Sequence, residues 1–247
     1  MQPERLTYSN PKVQRLRRLL GRRSARSDEG VFVVEGVGLI AQAVAAGWVI
    51  EAQFVAPGGE PVATSAPVFD LAPNVIERVA STEAPQPVLA VFRQKAADLP
   101  AGADFVMVAD RIADPGNAGT IIRSAKAAGA QAIALTPGSV DPYNPKVVRA
   151  TAGSLFLLPV LTCDLASLKA AGLRVLATSS HRGMIYTEVN LKGPVALVVG
   201  NEAHGLDADA DVDGWITIPH AGAAESLNVA MAATVLAFEV ARQRRQR

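Results

Sequence analysis

From residue 105 onward the chain alternates short unbroken apolar runs with stretches of helical periodicity, and this alternation is the strongest constraint on its fold. Residues 105–109, 132–136, 155–161, 174–178, 195–199 and 215–219 read as strands. Continuous apolar runs of that length, bounded by turn residues, belong to strands buried on both faces of a parallel sheet. Residues 119–128, 145–152 and 165–171 read as the intervening helices. A last helix runs on from Ser226, where Leu227, Met231, Val235 and Phe238 recur at helical spacing. Arg242, Arg244 and Arg245 close it in the sense a helix dipole favours. The expected architecture is α/β, a mainly parallel sheet with helices on both faces.

A smaller α/β unit precedes it. Asn10-Pro11 is a helix start, asparagine as cap and proline at the first helical position. Val13, Leu16 and Leu20 share one face of that helix, and Lys12, Arg15, Arg18, Arg22 and Arg23 cover the others. Residues 31–34, 53–56, 68–71 and 88–92 read as short strands, the second stopped by Pro57-Gly58-Gly59. The stretch 96–104, with Pro100 and Gly102, reads as a linker. The expected domains are therefore 1–95, a linker at 96–104, and 105–247.

Lys and Arg total 24 against 23 Asp and Glu, for a net charge of +1 that hides an asymmetry. No acid interrupts the cations from Arg5 to Arg26 or from Arg242 to Arg247, so the body between carries an acidic excess. Basic ends on an acidic body point to a localised polyanion contact. Like charges repel at helical spacing, so the run from Lys12 to Arg26 is read as a surface for RNA phosphates. No apolar run reaches the ~18 residues of a membrane span, and the start lacks a signal-peptide core. The one cysteine, Cys163, cannot form an internal disulfide, and a cytoplasmic location is expected. His181, His204 and His220 show no metal-ligand spacing, and no metal is expected.

The polar residues gather where loops follow apolar runs: Asn201, Glu202 and His204 after one, Glu225, Ser226 and Asn228 before the last helix. In an open α/β sheet ligands bind beyond the carboxyl ends of strands, where such loops meet. The segment from Gly200 to Gly205 lacks the opening of a dinucleotide fingerprint and the Lys-Ser/Thr end of a phosphate loop. Neither Ser154 nor Ser226 sits in a Gly-x-Ser-x-Gly elbow.

Three ordered motifs carry a resemblance. They are Asp114-Pro115-Gly116-Asn117-Ala118-Gly119 through Arg123; Gly200, Glu202, Gly205 and Leu206; and Ile218-Pro219 followed by Ser226-Leu227-Asn228-Val229. Together they resemble the SpoU/TrmH family, RNA ribose 2′-O-methyltransferases of the SPOUT group that use S-adenosylmethionine. The front unit, with its basic helix and Val33-Val34-Glu35-Gly36, resembles the small ribosomal-protein-like RNA-binding domain of that family. The resemblance implies a deep trefoil knot, a homodimer paired through the C-terminal domain, and an RNA substrate, ribosomal RNA before transfer RNA. It implies Thr178, Gly200, Ile218 and Leu227 as cofactor contacts. It also implies Asn117, Arg123, Glu202, Ser226 and Asn228 as the catalytic set, with Arg123 clamping the target nucleotide. A guanidinium resists deprotonation, which makes Arg123 a clamp rather than a base. Glu202, Ser226 and Asn228 are left to orient the hydroxyl and handle its proton. Two positions depart from the pattern: Ala203 stands where a second glycine is usual, and His220 where methionine is common. The competing reading is a non-catalytic RNA-binding or ribosome-assembly member of the same family.

Overall fold

The computed structural model describes residues 5–80, 82–221 and 226–245, so Glu225 and Arg247 lie outside the described residues. Contacts divide the chain into a first unit, Met1–Lys95 with Tyr143–Phe156, and a second, Ala96–Pro142 with Leu157–Arg247.

In the first unit Asn10 caps α1 (Pro11–Gly21), its Oδ1 accepting the Lys12 N–H at 2.9 Å. Val13, Leu16, Leu19 and Leu20 are buried on the apolar face of that helix. Then come α2 (Arg23–Glu29), β1 (Val31–Glu35), α3 (Val37–Ala45), β2 (Ile50–Val55), β3 (Val68–Asp70), α4 (Val75–Val79) and β4 (Val88–Arg93). The sheet order is β1-β4-β2-β3, antiparallel except for the parallel pair β2/β3. Two helices, α2 and α4, escape the sequence reading because seven and five residues are too short to show a period.

The second unit begins with β5 (Phe105–Ala109), α5 (Pro115–Ala127) and β6 (Ala132–Leu135). The chain then returns to the first unit for α6 (Pro145–Ala150), so the expected continuous domain from 105 onward is interrupted. The side chains explain the return. Tyr143 and Trp48 lie with ring centroids 4.7 and 5.5 Å from Phe32, and Phe156 lies 5.7 Å from Trp48. Trp48 Nε1 donates to the Phe156 carbonyl at 3.1 Å, and Arg149 meets buried Glu35 at 3.3 Å. The strand expected at 155–161 is accordingly shorter. Residues Ser154–Phe156 form a 3-10 turn, and only Val160–Thr162 is strand β7. Leu155 and Phe156 are buried in the first unit, and Pro159 has no N–H to lend a ladder.

The remaining elements are α7 (Leu165–Ala170), β8 (Arg174–Thr178), β9 (Met184–Ile185), β10 (Val195–Val199), β11 (Gly214–Thr217) and α8 (Val229–Arg245). The sheet runs β7-β6-β5-β10-β8-β11-β9, and every neighbouring pair is parallel. Every residue of β5 and β10 is buried, as continuous apolar runs require. Val106, Val108, Val175, Ala196 and Val198 share one face with Leu168 of α7. Strand alternation turns their neighbours to the other face, where α5 and α8 pack. The stretch 96–104 is not loose, because Ala97, Leu99 and Ala103 pack against the α7 face.

Helix α8 starts at Val229, and its cap is Asn228, which receives the Ala230 and Met231 N–H groups at 2.9 and 3.2 Å. Small residues on its inner face, Ala230, Ala233 and Ala237, allow close approach to α5, where Ser124 and Thr234 hydroxyls bond at 2.7 Å. Its basic end is used internally. Arg242 pairs with Glu239 at 2.7 Å, and Arg244 bonds Asp104 and the carbonyls of Asp104, Leu191 and Gly193. Arg244 thereby ties the end of α8 to Asp104 and the loop at 191–193.

Candidate active site

Thr178 ends β8, Gly200 follows β10 and Ile218 follows β11, so three neighbouring parallel strands deliver them to the same sheet edge. The N-termini of α5 and α8 reach the same place. Between them lies a cavity of about 760 Å³ lined by Asn117, Thr178, Gly200, Glu202, Ile218, Ser226, Leu227 and Asn228. Every expected site residue except Arg123 is in that lining. Arg123 is exposed on α5, outside the cavity, and makes no ion pair with any described residue.

A chain of hydrogen bonds joins the three motifs. Asn228 Oδ1 is committed to the α8 cap, so its Nδ2 faces Asn117 and donates to Oδ1 at 3.0 Å. Asn117 must then turn its own Nδ2 toward Glu202, where it donates to Oε1 at 3.1 Å. The direction of both amides is thus set by the helix cap. Glu202 also accepts from the Ala113 and Asp114 N–H groups at 3.2 and 3.1 Å. Asp114 in turn caps α5 by accepting the Asn117 N–H at 2.7 Å.

Burial pushes the Glu202 carboxyl up, but the bonds from Asn117 and the two backbone N–H groups outweigh it and hold the group below its ordinary range. A carboxylate so occupied is a weak base and a firm brace. The sign follows directly. A depressed native pKa gives stability that is present above the ordinary carboxylate value and is lost as pH falls through the native one. The melting temperature of the wild type should therefore exceed that of Glu202→Gln near neutrality, and the difference should shrink as pH falls below the ordinary carboxylate range and through the depressed native value. Parallel melting curves at all pH values would contradict this.

Gly200, in the cavity lining, also meets a constraint from behind. A Cβ there would lie 2.4 Å from the Gly205 carbonyl carbon and 2.5 Å from the Leu206 nitrogen. The constraint is therefore the turn behind the cavity, where Asn201 and Gly205 exchange backbone bonds of 3.2 and 2.9 Å. Gly205 closes that turn at φ 66°, in the left-handed region. Asn201 ties it down, donating from Nδ2 to the Arg111 carbonyl at 2.8 Å and accepting the Ala203 N–H at 3.0 Å. Ala203 is accommodated, since its side chain is exposed.

Sequence reasoning missed part of the lining. Arg182 stacks on Trp215 with its guanidinium 3.5 Å from the ring centroid and donates to the Ala208 carbonyl at 3.1 Å. No motif marks that pair, which comes together only because β8 and β11 are neighbours. His220, noted as a departure, lines the cavity, and its buried Nε2 has no hydrogen-bond partner among the described residues. Apolar walls at Ile216, Ile218, Leu206 and Leu236 with such scattered polar groups suit a ligand that is part aromatic and part charged. No described cluster of His, Cys, Asp and Glu could hold a metal ion, and no described helix is long and apolar enough to cross a membrane.

Comparison with known proteins places these features. Residues 104–238 match the model of the SpoU rRNA Methylase family, and residues 10–90 match that of an MRM3-like substrate binding domain. The 23S rRNA (guanosine(2553)-2′-O)-methyltransferase RlmP of Bacillus subtilis is 34% identical, with 94% of this chain and 96% of that protein covered. The SpoU methyltransferase AviRb of Streptomyces viridochromogenes, solved with AdoMet, superposes with a TM-score of 0.87 at 33% identity. That match covers 95% of this chain and 98% of the other. An AdoMet-bound rRNA methyltransferase from Sinorhizobium meliloti gives a TM-score of 0.86 at 32% identity, covering 97% of each chain. With its motifs joined in one cavity and these matches along nearly its whole length, the chain belongs to the SpoU rRNA methylase family.

Proposed function

We infer that this protein transfers a methyl group from S-adenosylmethionine to a ribose 2′-hydroxyl of RNA, and that the RNA is ribosomal. The observation that carries the reading is the bond chain Asn228–Asn117–Glu202, which links all three motifs at the wall of one cavity. The named relatives act on 23S rRNA, and two of the structural neighbours hold AdoMet, which favours this substrate and cofactor.

The cavity fits such a cofactor. Ile218 and Leu227 offer apolar surface for the adenine, with Thr178 beside them, and the orphaned His220 Nε2 offers a polar contact. When bound, the cofactor supplies a methyl group already activated as a sulfonium. The residues of the chain then have to orient the nucleophile and manage one proton. Ser226 and Asn228 lie at the start of α8 to hold the hydroxyl, and Asn117 with Glu202 fixes where Asn228 points. Arg123 clamps the target nucleotide and stabilises charge developing on the 2′-oxygen. The same reading includes the knot that the resemblance implies and a place of work in the cytoplasm.

Arg123 lies outside the cavity of its own chain, which supports a homodimer in which it serves the partner's site. The exposed face of α8 supports the same arrangement, with Met231 59%, Val235 37% and Phe238 42% accessible at helical spacing, and Leu227, just before the helix, 42% accessible. Met231→Glu with Phe238→Glu should give a monomer by sedimentation at micromolar concentration, cofactor-competent but nearly inactive. A wild type that sediments as a fully active monomer would end the dimer reading.

The function itself is tested with methyl-labelled cofactor, 23S ribosomal RNA and bulk transfer RNA. Label should enter the ribosomal RNA and leave one phosphodiester resistant to alkali. Label in transfer RNA alone, or in neither, would overturn the reading.

A further inference from the structure

The arginines from Arg15 to Arg26, on α1, α2 and the residue between them, divide sharply once the chain is folded. Arg15 is spent on two carboxylates, Glu29 at 2.5 Å and Glu51 at 3.2 Å. Arg26 is buried and donates to the Leu19 carbonyl at 2.7 Å, and Arg23 also has a partner. Arg17, Arg18 and Arg22 are exposed, and none has an acidic partner among the described residues. The fold adds a fourth cation that the sequence run does not contain. Arg78, in the last turn of α4, lies with its guanidinium 3.6 Å from the centroid of the Tyr8 ring, and Arg17 lies 5.9 Å from the same ring. Two like charges from separate helices are thus gathered on one tyrosine.

These four arginines line a groove of about 370 Å³ whose remaining wall is Gln14, Leu20, Gly21, Val79 and Ala80. Gly21 and Ala80 keep the wall low. Leu20 and Val79 are 6% and 5% exposed, so neither side chain stands open as an apolar anchor for a peptide. What it offers is four guanidinium groups with no acidic partner among the described residues, a set that suits phosphate oxygens. We propose that the groove between α1 and α4, walled by Arg17, Arg18, Arg22 and Arg78, is the seat of the RNA phosphodiester backbone on the first unit. The site rests on the reading that the substrate is RNA. It moves the contact from the helix face expected from sequence, because Arg15 and Arg23 are engaged within the fold and Arg78 takes part.

Binding of the full-length protein to a fluorescein-labelled 23S ribosomal RNA transcript, followed across a salt series, tests this. Arg17→Gln, Arg18→Gln, Arg22→Gln and Arg78→Gln together should weaken binding and lower the slope of log affinity against log salt by roughly three units, at about 0.7–0.9 per phosphate. Arg78→Gln alone, a surface change on a separate helix, should lower it by slightly less than one unit. Arg15→Gln should leave the slope unchanged. Calorimetry with S-adenosylmethionine, whose cavity lies in the second unit, should give wild-type affinity for each variant, and an unchanged thermal melt should report that the first unit stays folded. An unchanged slope in both the fourfold and the Arg78→Gln proteins would overturn the groove while leaving methyl transfer by the wild type intact. The groove is equally overturned if polyglutamate, at equal charge, displaces the groove-dependent part of binding better than polyuridylate does. A wild type that transfers no label to RNA would instead defeat the functional reading beneath it.

Discussion

Asn228→Asp is expected to slow methyl transfer by roughly a hundred- to a thousandfold, the usual cost of losing one donor aimed at a transition state. An aspartate keeps an oxygen for the Ala230 and Met231 N–H groups, so α8 stays capped. It cannot donate to Asn117, whose amide would turn over and set its oxygen against the Glu202 carboxylate. The substitution therefore separates the helix cap from the bond chain, which alanine would remove together. Arg123→Ala should cost a similar factor by another route, since that side chain touches neither the chain nor the cavity. Single-turnover kinetics at saturating cofactor measures the loss, and calorimetry should show cofactor affinity close to wild type for Arg123→Ala. Either variant turning over normally at saturation would mean that the assigned roles are wrong.

Gly200→Val is expected to weaken S-adenosylmethionine binding by roughly five- to a hundredfold. Overpacking of this kind costs about 1–3 kcal/mol, and each 1.4 kcal/mol is tenfold in affinity. The route is indirect. The new side chain meets the backbone of Gly205 and Leu206, which cannot swing aside as a flexible side chain would. The turn from Asn201 to Gly205 must open, and with it goes the position of Glu202. Hydrogen exchange should therefore show the Gly205 amide losing protection, because its bond to the Asn201 carbonyl is the one that closes the turn. Equal cofactor affinity in the two proteins would refute the argument.

The second unit was legible in the sequence because its central strands are buried on both faces and so spell themselves as apolar runs. The exception, residues 155–161, shows the limit of that signal. An apolar run records that its side chains are buried, but not in which core, and Leu155 and Phe156 are buried in the other one. The site divides in the same way. Asn117, Glu202 and Asn228 stand in recognisable motifs, yet nothing in their spacing says that they bond in a row, with direction set by a helix cap. Arg182 on Trp215, and Arg78 beside Arg17, carry no local pattern at all, since each pair is made by elements that meet only in the fold. Charge counting misled for a related reason. It cannot see that Glu29 and Glu51 wait for Arg15, or that Asp104 waits for Arg244.

The return of Tyr143–Phe156 to the first unit bears on how such a protein can be taken apart or inherited. A gene fusion that joined an RNA-holding module to a methyl-transferring one at residue 96 would need only one junction if each module were a single length of chain. Here a second stretch, deep inside the later half of the gene, supplies Tyr143 and Phe156 to the rings of Phe32 and Trp48, and Arg149 to the carboxylate of Glu35. Exchanging the front module for another would strand those side chains against surfaces never shaped for them. The two halves are therefore bound to change together, and a chimera should succeed only when residues 143–156 travel with the front module from the same parent.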